Sequence, residues 1–211
     1  MIKINNLYDN LKEICENRKS RRTFKDIPVS DDLIEKILYI AKTSPYSSGK
    51  HNWDIKIIND KEILKNIANA VRDKNAKLTN YIDDEYVKGF IQYSSNFIFF
   101  ENAPAVIFLN FRIQKSFSLM FKKNLSENLN ESILNDSDFT LNLKNEISEW
   151  DRDNFVKSIS CVAMLILLAC ESLGLGACYM TGPLIAEKEI SQIINLKKGR
   201  NIGAIIPIGY Y

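Results

Sequence analysis

The sequence predicts one domain over residues 1–211 that mixes helices with a small sheet, and three observations carry that reading. Apolar residues recur at helical spacing in two early segments, Leu7, Leu11, Ile14, Cys15 and then Leu33, Ile34, Ile37, Leu38, Ala41. Two stretches, 53–59 and 104–109, are short and apolar enough to be strands. A long apolar run at 153–173 has the length of a helix, stops at Gly174, and precedes two further extended segments.

The first helix is expected at about 6–17. Ser30 precedes the second and is placed as its N-cap, with Asp31 and Asp32 favoured at the positive end of the helix dipole. Pro45 follows that helix's end. The Ile-rich alternation at 53–59 gives the first strand, and Asp60 caps a helix carrying Ile63, Leu64, Ile67 and Val71. Residues 72–96 read as partly helical. The run Pro104-Ala105-Val106-Ile107-Phe108-Leu109 is apolar without alternation, as in a strand covered on both faces. Residues 114–149 are rich in Asn, Ser, Lys and Glu and are expected to be a polar region, either a surface helical insertion or partly mobile cover, or a lid that shapes a substrate pocket. The helix at 153–173 has no wet face over most of its length, so it needs covering all round, in part by another subunit. Residues 175–181 and 203–210 read as the last two strands.

Composition narrows the function classes. The chain has 211 residues, 45% of them hydrophobic, enough for a substantial core. Its 28 basic and 26 acidic residues leave a net charge of +2, which suits neither a nucleic-acid coat nor a polybasic membrane anchor. One histidine and four cysteines with no C-x-x-C pair argue against a metal centre and against a disulfide framework, so the thiols are expected reduced and in the core. The N-terminus lacks an apolar signal core, and charges flank the apolar run at 161–170, so the expected location is cytoplasmic, with no membrane partner.

Three motifs carry chemistry. In Arg18-Lys19-Ser20-Arg21-Arg22-Thr23-Phe24 four cations and two hydroxyls lie between two helices. Arg offers a planar fork of donors, Lys a point charge and Ser a hydroxyl, a donor set suited to a phosphate. A solvated basic turn is the plain alternative for this segment taken alone. Pro45-Tyr46-Ser47-Ser48-Gly49-Lys50-His51-Asn52-Trp53 is either an ordinary loop or a lining for a flat ring, with Gly49 allowing close backbone approach. Gly174-Leu175-Gly176-Ala177-Cys178-Tyr179-Met180-Thr181-Gly182 follows a helix rather than opening one, so it is no dinucleotide fingerprint.

Taken in this order, the three segments resemble the nitroreductase family of FMN-dependent oxidoreductases over most of the chain. The family's Arg-x-Ser-x-Arg/Lys-x-Phe opening is matched by Arg18, Ser20, Arg22 and Phe24. Its Pro-Ser-Ser-Gly-Asn-x-Gln-Pro-Trp type of loop is matched by Pro45 to Trp53, and its apolar helix running into Gly-Leu-Gly by Ala169 to Met180. The resemblance implies an α+β fold, a central mixed or antiparallel sheet flanked by helices, built as an intertwined homodimer. It implies FMN as cofactor, with NADH or NADPH as electron donor and a nitroaromatic, quinone or enone as acceptor, in ping-pong order. By the same resemblance Arg18, Lys19, Ser20 and Arg22 hold the phosphate and ribityl end. Pro45, Tyr46, Ser47, Gly49 and Asn52 approach the ring from the partner chain, and the backbone at Thr181 and Gly182 faces the flavin N5. No side chain is named as catalytic, because the cofactor carries the hydride chemistry.

The sequence departs from the family pattern twice. Gly49-Lys50-His51-Asn52 stands where Asn-x-Gln-Pro is usual, which alters the donors to the ring edge. The family's basic segment beyond the last strand has no counterpart before Tyr211, so the expectation is either that the phosphate relies on the cluster at 18–22 or that FMN binds more weakly. Two rival readings remain at this stage: a flavin-binding protein with little turnover, and a phosphate- or nucleic-acid-binding module.

Overall fold

The computed structural model describes residues 4–46, 52–113 and 137–211. Helix α1 (Ile4–Asn17) and helix α2 (Asp31–Ala41) open the chain, then strand β1 (Trp53–Ile58), helix α3 (Lys61–Thr79) and helix α4 (Asp84–Ser94). Two 3-10 turns, Ser95–Phe97 and Phe99–Asn102, lead into strand β2 (Ala105–Phe111). The long helix α5 (Ser137–Ser172), strand β3 (Gly176–Ala177), a 3-10 turn (Gly182–Ala186), helix α6 (Glu187–Ile193) and strand β4 (Asn201–Gly209) complete it.

The four strands form one antiparallel sheet in the order β1-β2-β4-β3. Strand β2 is the key to the core. Its side chains alternate between faces, and both faces are covered, so all seven residues are buried. Ala105, Ile107, Leu109 and Phe111 join Ile37 of α2 and Ile159, Val162 and Ile166 of α5 on one side. Val106 and Phe108 join Leu64, Ile67 and Val71 of α3 and Ile190 of α6 on the other. That double cover is why the sequence at 104–109 shows no polar alternation.

Local chemistry sets the helix ends. The Asp60 carboxylate accepts from the backbone N–H groups of Glu62 and Ile63 at 2.8 and 3.1 Å, capping α3. Ser30 occupies the N-cap position of α2, but its side chain makes no cap hydrogen bond; its carbonyl accepts from Ile34 N at 3.1 Å. Gly174, at φ +70°, turns the chain out of α5 in the left-handed region.

Several expectations are corrected. The helix expected at 153–173 begins at Ser137, because residues 137–149 continue it toward the N-terminus; residues 114–136 of the expected polar insertion lie outside the described residues. Within a single chain Phe155, Ile159, Val162 and Ile166 face the sheet, whereas Val156 and Met164 stay 39% and 44% exposed, the part of the helix for which cover by another subunit is expected. The segment expected as a strand at 175–181 pairs only at Gly176 and Ala177, with an isolated bridge from Met180 to Ile205, because Thr181 already turns into the 3-10 segment. Of the four cysteines expected in the core, Cys170 and Cys178 are buried, but Cys15 and Cys161 lie on exposed helix faces. The apolar part of α5 is also longer than its flanking charges suggested. Glu149–Ser172 is long and apolar enough to cross a membrane by length and composition, and here it supplies much of the core.

Candidate functional site

The cationic segment is fixed at the β3 edge of the sheet. Arg18 N donates to Ile14 O at 3.0 Å and closes α1. The chain then runs extended: Ser20 bridges Ala177 in parallel, and Arg21 N donates to Ala177 O at 3.0 Å. Lys25 N donates to Tyr210 O at 2.7 Å and holds the far end.

An extended chain points successive side chains to opposite faces. Arg21 turns one way. Its guanidinium carbon lies 4.0 Å from the centre of the Tyr211 ring, and its stem covers Gly176, where a Cβ would fall 2.8 Å from Arg21 Cγ. Ser20 and Arg22 turn the other way, and the thiol of Cys178 shows where they meet. Burial pushes that thiol above its ordinary pKa, while the Arg22 charge, a hydrogen bond from the Ser20 hydroxyl and the Arg18 charge pull it back down. The Ser20 hydroxyl is thus a neighbour of this thiol, and the Arg22 and Arg18 charges lie near enough to act on it. Lys19 beside them is exposed.

An aromatic strip borders the cluster. The Arg22 guanidinium carbon stands 5.9 Å from the Phe99 ring centre, and the Phe97 ring packs on Gly182. A Cβ on Gly182 would lie 2.4 Å from two ring carbons of Phe97, so only glycine fits there. Met180 and Ile205 exchange two backbone hydrogen bonds of 3.0 Å, which fix the approach to Thr181 and Gly182.

The second predicted segment lies elsewhere. Pro45 is exposed, and Tyr46 packs against Phe155 with ring centres 6.1 Å apart. The Tyr46 hydroxyl is buried without a hydrogen-bond partner among the described residues; burial raises its pKa to about 12, partly countered by Arg200. Asn52 O accepts from Arg112 N at 2.8 Å and from Arg200 Nη1 at 3.3 Å. Arg200 also pairs with Asp54 at 2.9 Å, and Asn110 Nδ2 donates to the other Asp54 oxygen at 3.1 Å. Ser47 and Gly49, with Ser48, Lys50 and His51, lie outside the described residues.

The two groups flank opposite ends of β4. Asn52 sits by the Asn201 end, whereas Ala177, beside Ser20 and Arg21, pairs with Ile208, seven residues along. At about 3.3 Å per residue that is roughly 23 Å of strand. Ser20 and Arg21 thus lie at the Ile208 end of β4, away from Asn52, while Thr181 and Gly182 follow Met180, which pairs with Ile205 partway along that strand. Cys178, Phe97, Phe99 and Arg200 were not singled out from the sequence. Cys178 directly follows the Gly-Leu-Gly-Ala run, a usable signal; the other three join their sites only through tertiary packing.

Residues 15–210 match the sequence model of the nitroreductase family. The chain belongs to the nitroreductase family. Among solved structures, this nitroreductase-family chain is similar to a BluB-like flavoprotein from Clostridium difficile 630, at a TM-score of 0.77 and 20% identity, covering 94% of this chain and 89% of that one. It is also similar to a nitroreductase with bound FMN from Desulfitobacterium hafniense DCB-2, at a TM-score of 0.66 and 16% identity over 95% and 88% of the two chains. An iodotyrosine deiodinase from Nematostella vectensis is 26% identical over 206 residues, 94% of this chain and 67% of that protein.

Proposed function

We propose that this chain is an FMN-dependent oxidoreductase that oxidises NADH or NADPH, reduces a small acceptor such as a nitroaromatic, quinone or enone, and works as a cytoplasmic homodimer. The observation that carries the reading is the cationic segment fixed at the sheet edge, where Ser20 bridges Ala177 and the Arg18 and Arg22 charges act on the nearby Cys178 thiol. A flavin phosphate bears close to two negative charges and calls for charge-assisted donors, which this cluster supplies. Arg18, Ser20 and Arg22 would hold the phosphate, with Lys19 alongside, and the backbone at Thr181 and Gly182 would meet the ring. When bound, FMN supplies the hydride and electron chemistry, and the chain supplies position and charge.

The strand length between the two site segments supports the dimer. Pro45, Tyr46, Ser47, Gly49 and Asn52 would reach the ring from a second chain, since within one chain Asn52 lies roughly a strand length from Ala177 beside the cluster. Exposed apolar residues supply a face for that pairing: Leu7 and Leu11 on α1 are 60% and 54% exposed, and Met164 on α5 is 44% exposed. With donor and acceptor using one face of the ring, the oxidised donor leaves before the acceptor binds, which gives ping-pong kinetics. Iodotyrosine belongs in the acceptor screen beside nitroaromatics, given the deiodinase relative.

The test is an anaerobic titration of the FMN-loaded protein with NADH and with NADPH. Bleaching of the flavin absorbance, restored by an acceptor, is the expected result. A yellow protein that neither nucleotide bleaches would instead be a flavin-binding protein with little turnover.

A further inference from the structure

One exposed aromatic side chain stands beside the proposed flavin site and has no part in it so far. Tyr93, in the last turn of α4, is 66% exposed. A single exposed ring is ordinary on a protein surface, so what matters is where this one is held. Tyr93 meets the ring of Phe97 edge to face, with centres 5.1 Å apart and planes at 81°. Phe97 is buried, and its ring packs on Gly182. The helix end is pinned as well: the Ser94 and Ser95 hydroxyls donate to Ile91 O and Gln92 O at 3.4 and 2.8 Å.

Three rings thus follow one another in a definite order. Phe99 lies by Arg22, with 5.9 Å between guanidinium carbon and ring centre. Phe97 lies by Gly182, and Tyr93 lies beyond Phe97 toward solvent. In the flavin reading the same order is phosphate at Arg22, isoalloxazine at Gly182, and then the open side from which an acceptor arrives.

This placement gives Tyr93 a chemical use. Its contact with Phe97 covers part of the ring, and its exposure leaves π surface open. Open π surface favours a flat conjugated partner and offers a saturated one much less. We propose that Tyr93 is the stacking platform for the acceptor, and that it selects planar aromatic acceptors, nitroaromatics and aromatic quinones, over aliphatic enones. The assignment rests on the flavin reading above and narrows its substrate class.

The test measures binding to the oxidised, FMN-loaded protein, with no reductant present. Benzamide and its saturated counterpart, cyclohexanecarboxamide, are titrated in, and the change in flavin absorbance reads each Kd. The unaltered protein should bind benzamide at least fivefold more tightly. Tyr93→Leu, which keeps an apolar side chain but no ring, should weaken benzamide about fivefold, the worth of one aromatic pair, and cyclohexanecarboxamide less than twofold. Tyr93→Phe should bind both within twofold of the unaltered protein. FMN per chain should be the same in all three proteins. Equal losses for the two amides in Tyr93→Leu, or no loss, would overturn the assignment and leave the flavin reading standing. So would equal binding of the two amides by the unaltered protein, a comparison that needs no variant. An unaltered protein that holds no FMN would overturn both.

Discussion

The ring of Phe97 packs against Gly182, where a Cβ would fall 2.4 Å from two ring carbons. This contact ties the turn after β3 to the 3-10 segment before β2, and so fixes the backbone at Thr181 and Gly182 that the proposed flavin ring would meet. Gly182→Ala should destabilise the fold by about 1–3 kcal/mol, the usual cost of overpacking. Phe97→Leu in the same chain should recover part of that loss, because the alanine methyl then has room. Urea unfolding of the two single variants and the double variant reads the coupling directly.

Arg21 and Arg22 are adjacent and should behave differently. Arg22 turns toward Cys178 and the aromatic strip, whereas Arg21 covers Gly176 and stacks on Tyr211. Arg22→Ala should weaken FMN binding about tenfold or more, since a charged hydrogen bond is worth roughly 1.5–3 kcal/mol. Arg21→Ala should leave FMN affinity within about threefold and lower stability by about 1 kcal/mol through lost ring contact and packing. Flavin titration and thermal melting of both variants separate the two roles; equal losses of FMN affinity would contradict the alternation.

Tyr46 and Cys170 make stability fall at high pH. Burial raises each to about 12, from ordinary values of 10.0 and 9.0. Below the unfolded value each group is protonated in both states, and its contribution is complete. As pH climbs from about 9 to 12 the unfolded chain ionises first, so that contribution is lost. Tyr46→Phe should shrink the part of the loss above pH 10. It should also be neutral or slightly stabilising near neutrality, because the hydroxyl it removes is buried and unpartnered. Denaturation curves across this pH range check both statements.

If the second site segment arrives from a partner chain, breaking the dimer breaks flavin binding. Met164→Glu places a charge on the exposed face of α5, far from Arg22 in sequence and outside the cationic cluster. Sedimentation velocity should show dissociation toward monomer, and retained FMN should fall in step. Full FMN retention by a monomeric variant would refute a site shared between two chains.

Much of this architecture was legible because it rests on local chemistry. The Asp60 cap, the period of α3 and the unbroken apolar run of β2 each leave a mark within a few residues. The Arg-x-Ser-x-Arg pattern lies where α1 ends and an extended run begins, and in that run Ser20 bridges Ala177. What was not legible depends on distant partners. The short pairing of β3 follows from the turn at Thr181, and the exposure of Cys15 and Cys161 follows from which helix faces find cover. Phe97 and Phe99 gained their places only when the segment before β2 folded onto Gly182 and Arg22. A helical insertion was within the reading of 137–149, but its polarity hid that this helix is continuous with the apolar one at 153–172.

The most direct measurement is the absorption spectrum of the purified protein after incubation with FMN and removal of the excess at low salt. The account predicts a flavin spectrum at close to equimolar FMN per chain, largely lost in Arg22→Ala. A protein that leaves the column colourless, folded by its thermal melt, would contradict the assignment of Arg18, Ser20 and Arg22 as a flavin-phosphate site.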